Sequence, residues 1–176
     1  TGGMGAISPV PFANGAFLEK VESRIIVPTV NGLKAENINY CGFIFIGLMK
    51  VGDDPYVIEY NCRMGDPETE VVLHRVKTDL VELLKATCSE AIKNIKIEIT
   101  PETAATVFLV SGGYPESFER GYEINGLAEV SGSTVYHAGT KTGNGNILTN
   151  GSRSGHYFHR QQYERSGAEV DGECGK

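Results

Sequence analysis

The 176-residue sequence has no apolar run long enough to cross a bilayer as a helix, and no signal-peptide pattern. A membrane role is therefore not expected. Basic blocks are also missing. Lys and Arg number 16 against 22 Asp and Glu, a formal net charge of -6. Nucleic-acid binding by phosphate neutralisation needs a clustered basic footprint, so that class is set aside. A small anion held by a few donors is not excluded. Cysteine is scarce. Cys41, Cys62, Cys88 and Cys174 form no CxxC pair, which argues against a zinc ribbon or a dithiol redox motif. Free thiols in a reducing cytoplasm are the expectation.

What is present suffices for a domain with a sizeable core. The apolar share is 40%, ordinary for a globular protein. The chain opens on Thr1-Gly2-Gly3-Met4-Gly5 rather than on Met. A glycine loop anchors the start of a domain poorly, so a piece of a longer protein is expected.

A glycine-rich loop is expected over residues 1–11. Asn14 is placed to cap a helix carrying Phe17, Leu18, Val21 and Ile25 at helical spacing. Pro28 disfavours helical geometry at Val27 and is expected to end or break that helix. Residues 41–50 are apolar on alternate and intervening positions alike, as in a strand buried on both faces. Gly52-Asp53-Asp54-Pro55 is turn chemistry. An antiparallel hairpin in the centre of a sheet is expected, with Ile58, Tyr60 and Cys62 turned to a core. Helices follow over 69–75 and from Asp79, where Glu82 completes a capping box. Leu80, Leu83, Leu84, Thr87 and Ala91 mark the inner face of the second. Residues 104–110 form a strand stopped by Ser111-Gly112-Gly113-Tyr114-Pro115, and short β segments fill 123–150.

The most informative stretch is Val57-Ile58-Glu59-Tyr60-Asn61-Cys62-Arg63. Alternate residues of a strand share one face. Glu59, Asn61 and Arg63 would then present a carboxylate, an amide oxygen and a guanidinium together. Hard oxygen ligands beside a fixed cation suit a magnesium–triphosphate complex. A solvated strand face with a salt bridge would show the same pattern. Gly65-Asp66-Pro67-Glu68 adds two carboxylates just past the strand end, and favours the site. The Thr1–Gly5 loop could form an anion-binding nest or be a plain turn; composition leaves both open. His74 and His137 have no partner visible in the sequence and read as core or surface residues.

Taken in order, these blocks resemble a known family. Thr1-Gly2-Gly3-Met4-Gly5-Ala6 with Ser8-Pro9 resembles the opening loop of the phosphoribosylamine–glycine ligases. So do Gly42-Phe43, Gly47-Leu48-Met49, Glu59-Tyr60-Asn61-Cys62-Arg63, Gly65-Asp66-Pro67-Glu68-Thr69 and Asp79-Leu80-Val81-Glu82-Leu83. Gly112-Gly113-Tyr114-Pro115, His137-Ala138-Gly139-Thr140 and Thr149-Asn150-Gly151 continue the match to about residue 151.

The resemblance implies an ATP-grasp ligase of purine biosynthesis that joins glycine to 5-phosphoribosylamine through a glycyl phosphate. It implies an α+β fold: the C-terminal half of an ATP-grasp unit, a mostly antiparallel sheet flanked by helices, with a small β-rich C-terminal unit. Glu59 and Asn61 match the family's magnesium or manganese ligands, which carry ATP. Arg63 matches a phosphate-facing arginine, and with Asp66 is expected to be catalytic. Thr1, Gly2, Gly3, Met4 and Gly5 are expected near the substrates. Residues 1–100 would be the nucleotide- and metal-binding half, and 101–151 the small unit, incomplete. The family's N-terminal domains would precede Thr1, so the chain alone is expected not to turn over.

Residues 152–176 depart from the family pattern. They are polar and without period. Read one base forward with suitable codons, they encode an apolar strand and an amphipathic helix, as the family has there. A frame change is the expectation, which would leave His156, His159 and Cys174 without a role. A strand and a helix would then be missing, exposing apolar surface. Two other functions remain open at this stage. One is a non-catalytic nucleotide-binding or packing module; the other is a different ATP-grasp carboxylate–amine ligase.

Overall fold

The computed structural model describes residues 3–89 and 91–161; for Cys88 and residues 154–161 it describes the backbone only. Thr1, Gly2 and Cys174 lie outside the described residues, as do the side chains of His156 and His159.

The fold is α+β, and every strand pair is antiparallel. The largest sheet has four strands in the order β1 (Gly5–Ser8), β4 (Thr103–Val110), β8 (Arg153–Gln161), β5 (Ser133–His137). Part of the expected opening loop is thus a strand. Gly5 pairs with Val107 and Ser8 with Ala104. Glycine permits this approach: a Cβ on Gly5 would lie 2.7 Å from the Thr106 carbonyl oxygen.

The expected missing strand is also corrected. Residues 153–161 run between β4 and β5, with Phe108 opposite His156 and Val135 opposite Tyr157. The inner edges of β4 and β5 offer backbone donors and acceptors that must be paired. Backbone pairing does not depend on side-chain pattern, so a polar segment without apolar alternation can still fill the slot.

Two helical stretches flank the sheets. Asn14 caps α1 (Gly15–Val21), accepting from the Phe17 amide at 3.0 Å. Pro28 does not end this helix. A π-helical segment, Glu22–Ile26, leads directly into α2 (Val27–Ala35), and Val27 is helical at φ -59° and ψ -48°. Pro28 falls in the first turn of α2, where its missing amide costs least. The wider π turn absorbs the misfit that was expected to break the helix.

The hairpin is β2 (Phe45–Val51) with β3 (Asp54–Asn61). It is a separate two-stranded sheet, not the centre of a larger one. Its faces are correspondingly open: Ile58 is 61% exposed, Tyr60 50% and Met49 53%, and Cys62 is exposed as well. The apolar sequence of these strands calls for covering layers that the described residues do not supply.

α3 (Glu68–Arg75) packs on β1 and β4, where Val71 (1% exposed) and Ala104 form the core with Ala6 and Tyr136 against them. Arg75 fastens the end of α3. Its guanidinium donates to Ser8 Oγ (2.8 Å), Glu102 O (3.0 Å) and Thr100 O (3.1 Å). Asp79 caps α4 (Leu80–Cys88), accepting from the Glu82 amide at 3.0 Å. Leu83 and Ala86 are buried there, but Leu80 and Leu84 are exposed and Ala91 falls in a separate 3-10 turn. The inner face is narrower than its spacing suggested.

β6 (Thr140–Gly143) and β7 (Asn146–Thr149) close a second hairpin through Asn144 and Gly145, both at positive φ. That is a tight turn whose twist matches its strands.

Candidate active site

β3 and the turn after it build a cleft of about 360 Å³. Its lining includes Gly3, Glu59, Asn61, Arg63, Asp66 and Glu68. The structure therefore brings together every described residue expected at the site except Met4 and Gly5, which continue from Gly3 into β1.

Strand geometry explains the grouping, with one departure. Glu59 and Asn61 are two residues apart and face the same way; the Asn61 amide nitrogen donates to Glu59 Oε1 at 3.0 Å. The amide oxygen and Glu59 Oε2 lie outside this bond. Ile58 was expected on the opposite face, yet it lines the same cleft. The register explains this. Gly47 pairs with Glu59 and Leu48 with Val57, so Ile58 is an extra residue, a β-bulge. Strict alternation fails at that point, beside the acidic group.

Arg63 follows the strand end and donates from Nη1 to the Met64 carbonyl at 2.9 Å. That bond orients the guanidinium at the cleft. The Gly65–Glu68 turn then reverses the chain into α3. Thr69 stitches it, its amide donating to Gly65 O at 3.1 Å and its hydroxyl to the same oxygen at 2.5 Å. Gly3 is threaded against this turn: a Cβ there would lie 2.4 Å from Pro67 Cδ and 3.0 Å from Asp66 O. Only a glycine lets the opening segment pass so close.

Asp66 was expected to act on substrate. Its carboxylate is engaged by Arg153, whose Nη2 donates to Oδ1 at 2.6 Å and to Oδ2 at 2.5 Å. Arg153 was missed because it lies in the stretch that departs from the family pattern. Glu70, on α3 behind the turn, has its carboxyl raised above the usual range, first by burial and further by the Asp66 charge. Tyr136 is raised likewise, by burial and then by Glu70. Its hydroxyl hydrogen-bonds His74 Nε2, and the rings meet edge to face at 5.6 Å. His74 thus has a partner 62 residues away that the sequence did not reveal.

Among the described residues no three His, Cys, Asp or Glu side chains converge as a metal site. A divalent ion at Glu59 would have one carboxylate and one amide oxygen from protein. That set fits magnesium, which keeps waters and takes substrate phosphates rather than a protein cage.

The family model for the phosphoribosylglycinamide synthetase ATP-grasp (A) domain matches residues 1–69, and that for the C domain of the same family matches 104–163. The chain belongs to the phosphoribosylglycinamide synthetase family. Within it, a phosphoribosylamine–glycine ligase of Caldanaerobacter subterraneus subsp. tengcongensis is 44% identical over 153 residues, covering 87% of this chain and 37% of that one. The Vibrio vulnificus ligase is 43% identical over 156 residues, covering 87% and 36%. The crystal structure of phosphoribosylamine–glycine ligase from Thermotoga maritima superposes with a TM-score of 0.77 at 34% identity, over 92% of this chain and 39% of that one. N5-carboxyaminoimidazole ribonucleotide synthetase from Thermus thermophilus shares the fold, with a TM-score of 0.56 at 18% identity. The chain spans little more than a third of the length of these relatives. No helix among the described residues is long and apolar enough to cross a membrane.

Proposed function

We propose that this chain supplies the metal- and phosphate-holding part of an ATP-dependent ligase that joins glycine to 5-phosphoribosylamine. The observation that carries the reading is the Glu59–Asn61 pair, joined at 3.0 Å on one face of β3 in a cleft shared with Arg63. The relatives named as phosphoribosylamine–glycine ligases support the choice of glycine, phosphoribosylamine and ATP as substrates. A cytoplasmic setting goes with that reading.

Glu59 and Asn61 would hold magnesium or manganese. Such an ion, when bound, neutralises phosphate charge and aligns the terminal phosphate for transfer. Arg63 would meet the charge that develops on the transferring phosphoryl group, where a fixed guanidinium stabilises it without reorganisation. The Gly3 to Gly5 backbone would lie close to substrate beside the Asp66 turn. We keep 1–100 and 101–151 as the two functional portions, joined by the β1–β4 pairing. For 152–176 we retain the frame change as a proposal, which the coding DNA decides. An intact frame with no family strand in the next frame overturns it.

Manganese binding with ATP tests the site. Wild-type chain should gain thermal stability with Mn²⁺ and ATP together, because a ligand that binds only the folded form raises its stability. Glu59→Gln should lose at least about tenfold in Mn²⁺–ATP affinity, the scale of one charged ligand contact. A wild-type chain indifferent to both ligands would favour the packing-module reading. We expect no ADP release from this chain with ATP, glycine and phosphoribosylamine; its detection would refute that expectation.

A further inference from the structure

We infer that Arg153 is a positioning residue for the cleft, acting through Asp66; the functional part of this rests on the ligase reading above. Three observations meet at this side chain. Nη2 of Arg153 reaches both carboxylate oxygens of Asp66, 87 residues away in sequence. Its guanidinium lies 3.7 Å from the centre of the Phe108 ring. Its side chain is 17% exposed, whereas that of Asp66 is 57% exposed.

Exposed ion pairs hold geometry poorly, because two long side chains must be ordered against water. This pair differs on one side. Phe108 is 3% exposed, in the middle of β4. Stacking on that ring fixes the plane of the guanidinium before Asp66 meets it. Arg153 also opens β8, and its carbonyl accepts from the Gly139 amide at 2.7 Å, so its backbone is held as well. The anchored partner is the arginine, and the carboxylate is what it secures.

Asp66 carries the turn with it. Its carbonyl oxygen and the Pro67 ring form the surface along which Gly3 passes. Gly65 O receives both bonds from Thr69, and Arg63 precedes the turn by two residues. A guanidinium that pins Asp66 therefore ties the cleft's rim to the four-stranded sheet. Among the described residues no hydrogen bond or ion pair links the Arg153 side chain to Glu59 or Asn61, so its influence on the cleft runs through the turn. The contact is made by residue 153 of this chain as it stands, so it holds whether or not 152–176 arose by a frame change.

The test uses the chain itself with four variants: Arg153→Met, Arg153→Lys, Asp66→Asn and the Met/Asn double variant. Exchange of the Thr69 amide proton reads the turn, since that proton is bonded to Gly65 O. Arg153→Met should speed it about tenfold, the scale of one charge-assisted hydrogen bond. Asp66→Asn should do the same, and the double variant should add nothing further. Arg153→Lys keeps the charge and should restore part of the protection, which a role in ring packing alone would not predict. Mn²⁺–ATP affinity should fall in Arg153→Met and recover in part in Arg153→Lys. Unchanged Thr69 exchange, or effects of the two single variants that add, overturns the assignment. If Arg153→Met does not fold, the Lys and Asn variants carry the same comparison. A wild-type chain that binds no Mn²⁺–ATP counts against the ligase reading, while the exchange comparison still decides the role of Arg153.

Discussion

Lys20 Nζ on α1 stands 2.9 Å from Asp54 Oδ1 at the start of β3, and Arg24 Nη1 reaches the same oxygen at 2.8 Å. Lys20 also donates to the Asp53 carbonyl at 2.6 Å. One carboxylate thus receives two cations, one from α1 and one from the π-helical segment that continues it, at the far end of the strand that carries Glu59. The Asp54 carboxyl is held below its ordinary value of 3.8, chiefly by the Lys20 hydrogen bond and then by that of Arg24. A depressed carboxyl binds its proton less readily folded than unfolded. The stabilisation is therefore present above 3.8 and is lost as pH falls through the lowered value. Following the Asp54 carboxyl carbon by NMR from about pH 6 to about pH 2 should give a midpoint below that of the denatured chain. Asp54→Asn should remove the acid dependence of the α1–hairpin contact. An unshifted midpoint would show that the three groups do not meet in solution.

Gly5→Ala should destabilise the four-stranded sheet. The new Cβ would stand 2.7 Å from the Thr106 carbonyl oxygen, and backbone cannot swing aside as a side chain can. Overpacking of this kind costs about 1–3 kcal/mol. Urea unfolding of the two chains measures it, and an unchanged midpoint would mean that β1 does not lie on β4.

Arg75→Met should be more costly than a surface charge removal. Three acceptors, Ser8 Oγ, Thr100 O and Glu102 O, lose their donor at once. Hydrogen bonds to charged groups contribute about 1.5–3 kcal/mol each, and such bonds within one network do not add fully. A loss of about 3 kcal/mol is expected in urea unfolding. A loss below about 0.5 kcal/mol, the range of an unremarkable surface change, would remove Arg75 as the fastener of α3.

Met49→Lys should leave the thermal midpoint nearly unchanged and raise solubility. Met49 is 53% exposed opposite Tyr56 on a two-stranded sheet whose outer edges pair with no other strand among the described residues. A lysine on such a strand opposes edge-to-edge pairing. Light scattering on concentrated samples reads the result; unchanged association would place the sticky surface elsewhere.

The gathering of Glu59, Asn61 and Arg63 at one cleft was legible because its signal is local. Glu59, Asn61 and Arg63 need only a strand to share a face, and Gly65 to Glu68 need only a turn. The caps at Asn14 and Asp79 were equally readable, each resting on one side chain and an amide three residues on. What escaped depended on distant partners. Nothing near Gly5 announces that it pairs with Val107, and nothing near His74 announces Tyr136. The bulge at Ile58 depends on the register with β2, which a single strand cannot reveal. Pro28 misled for another reason: a π turn upstream let the helix pass through it. Burial of β2 and β3 was overestimated because their apolar residues specify layers absent from the described residues.

The β1–β4 pairing sets an order of assembly. Gly5 leaves the ribosome about a hundred residues ahead of Val107. At synthesis rates of about 5–20 residues per second, that segment waits about 5–20 seconds for its partner strand. Through that interval Gly3 to Ser8 cannot be locked in place, and neither can the rim of the cleft that Gly3 borders. The cleft is thus finished only when the later part of the chain arrives to hold its beginning.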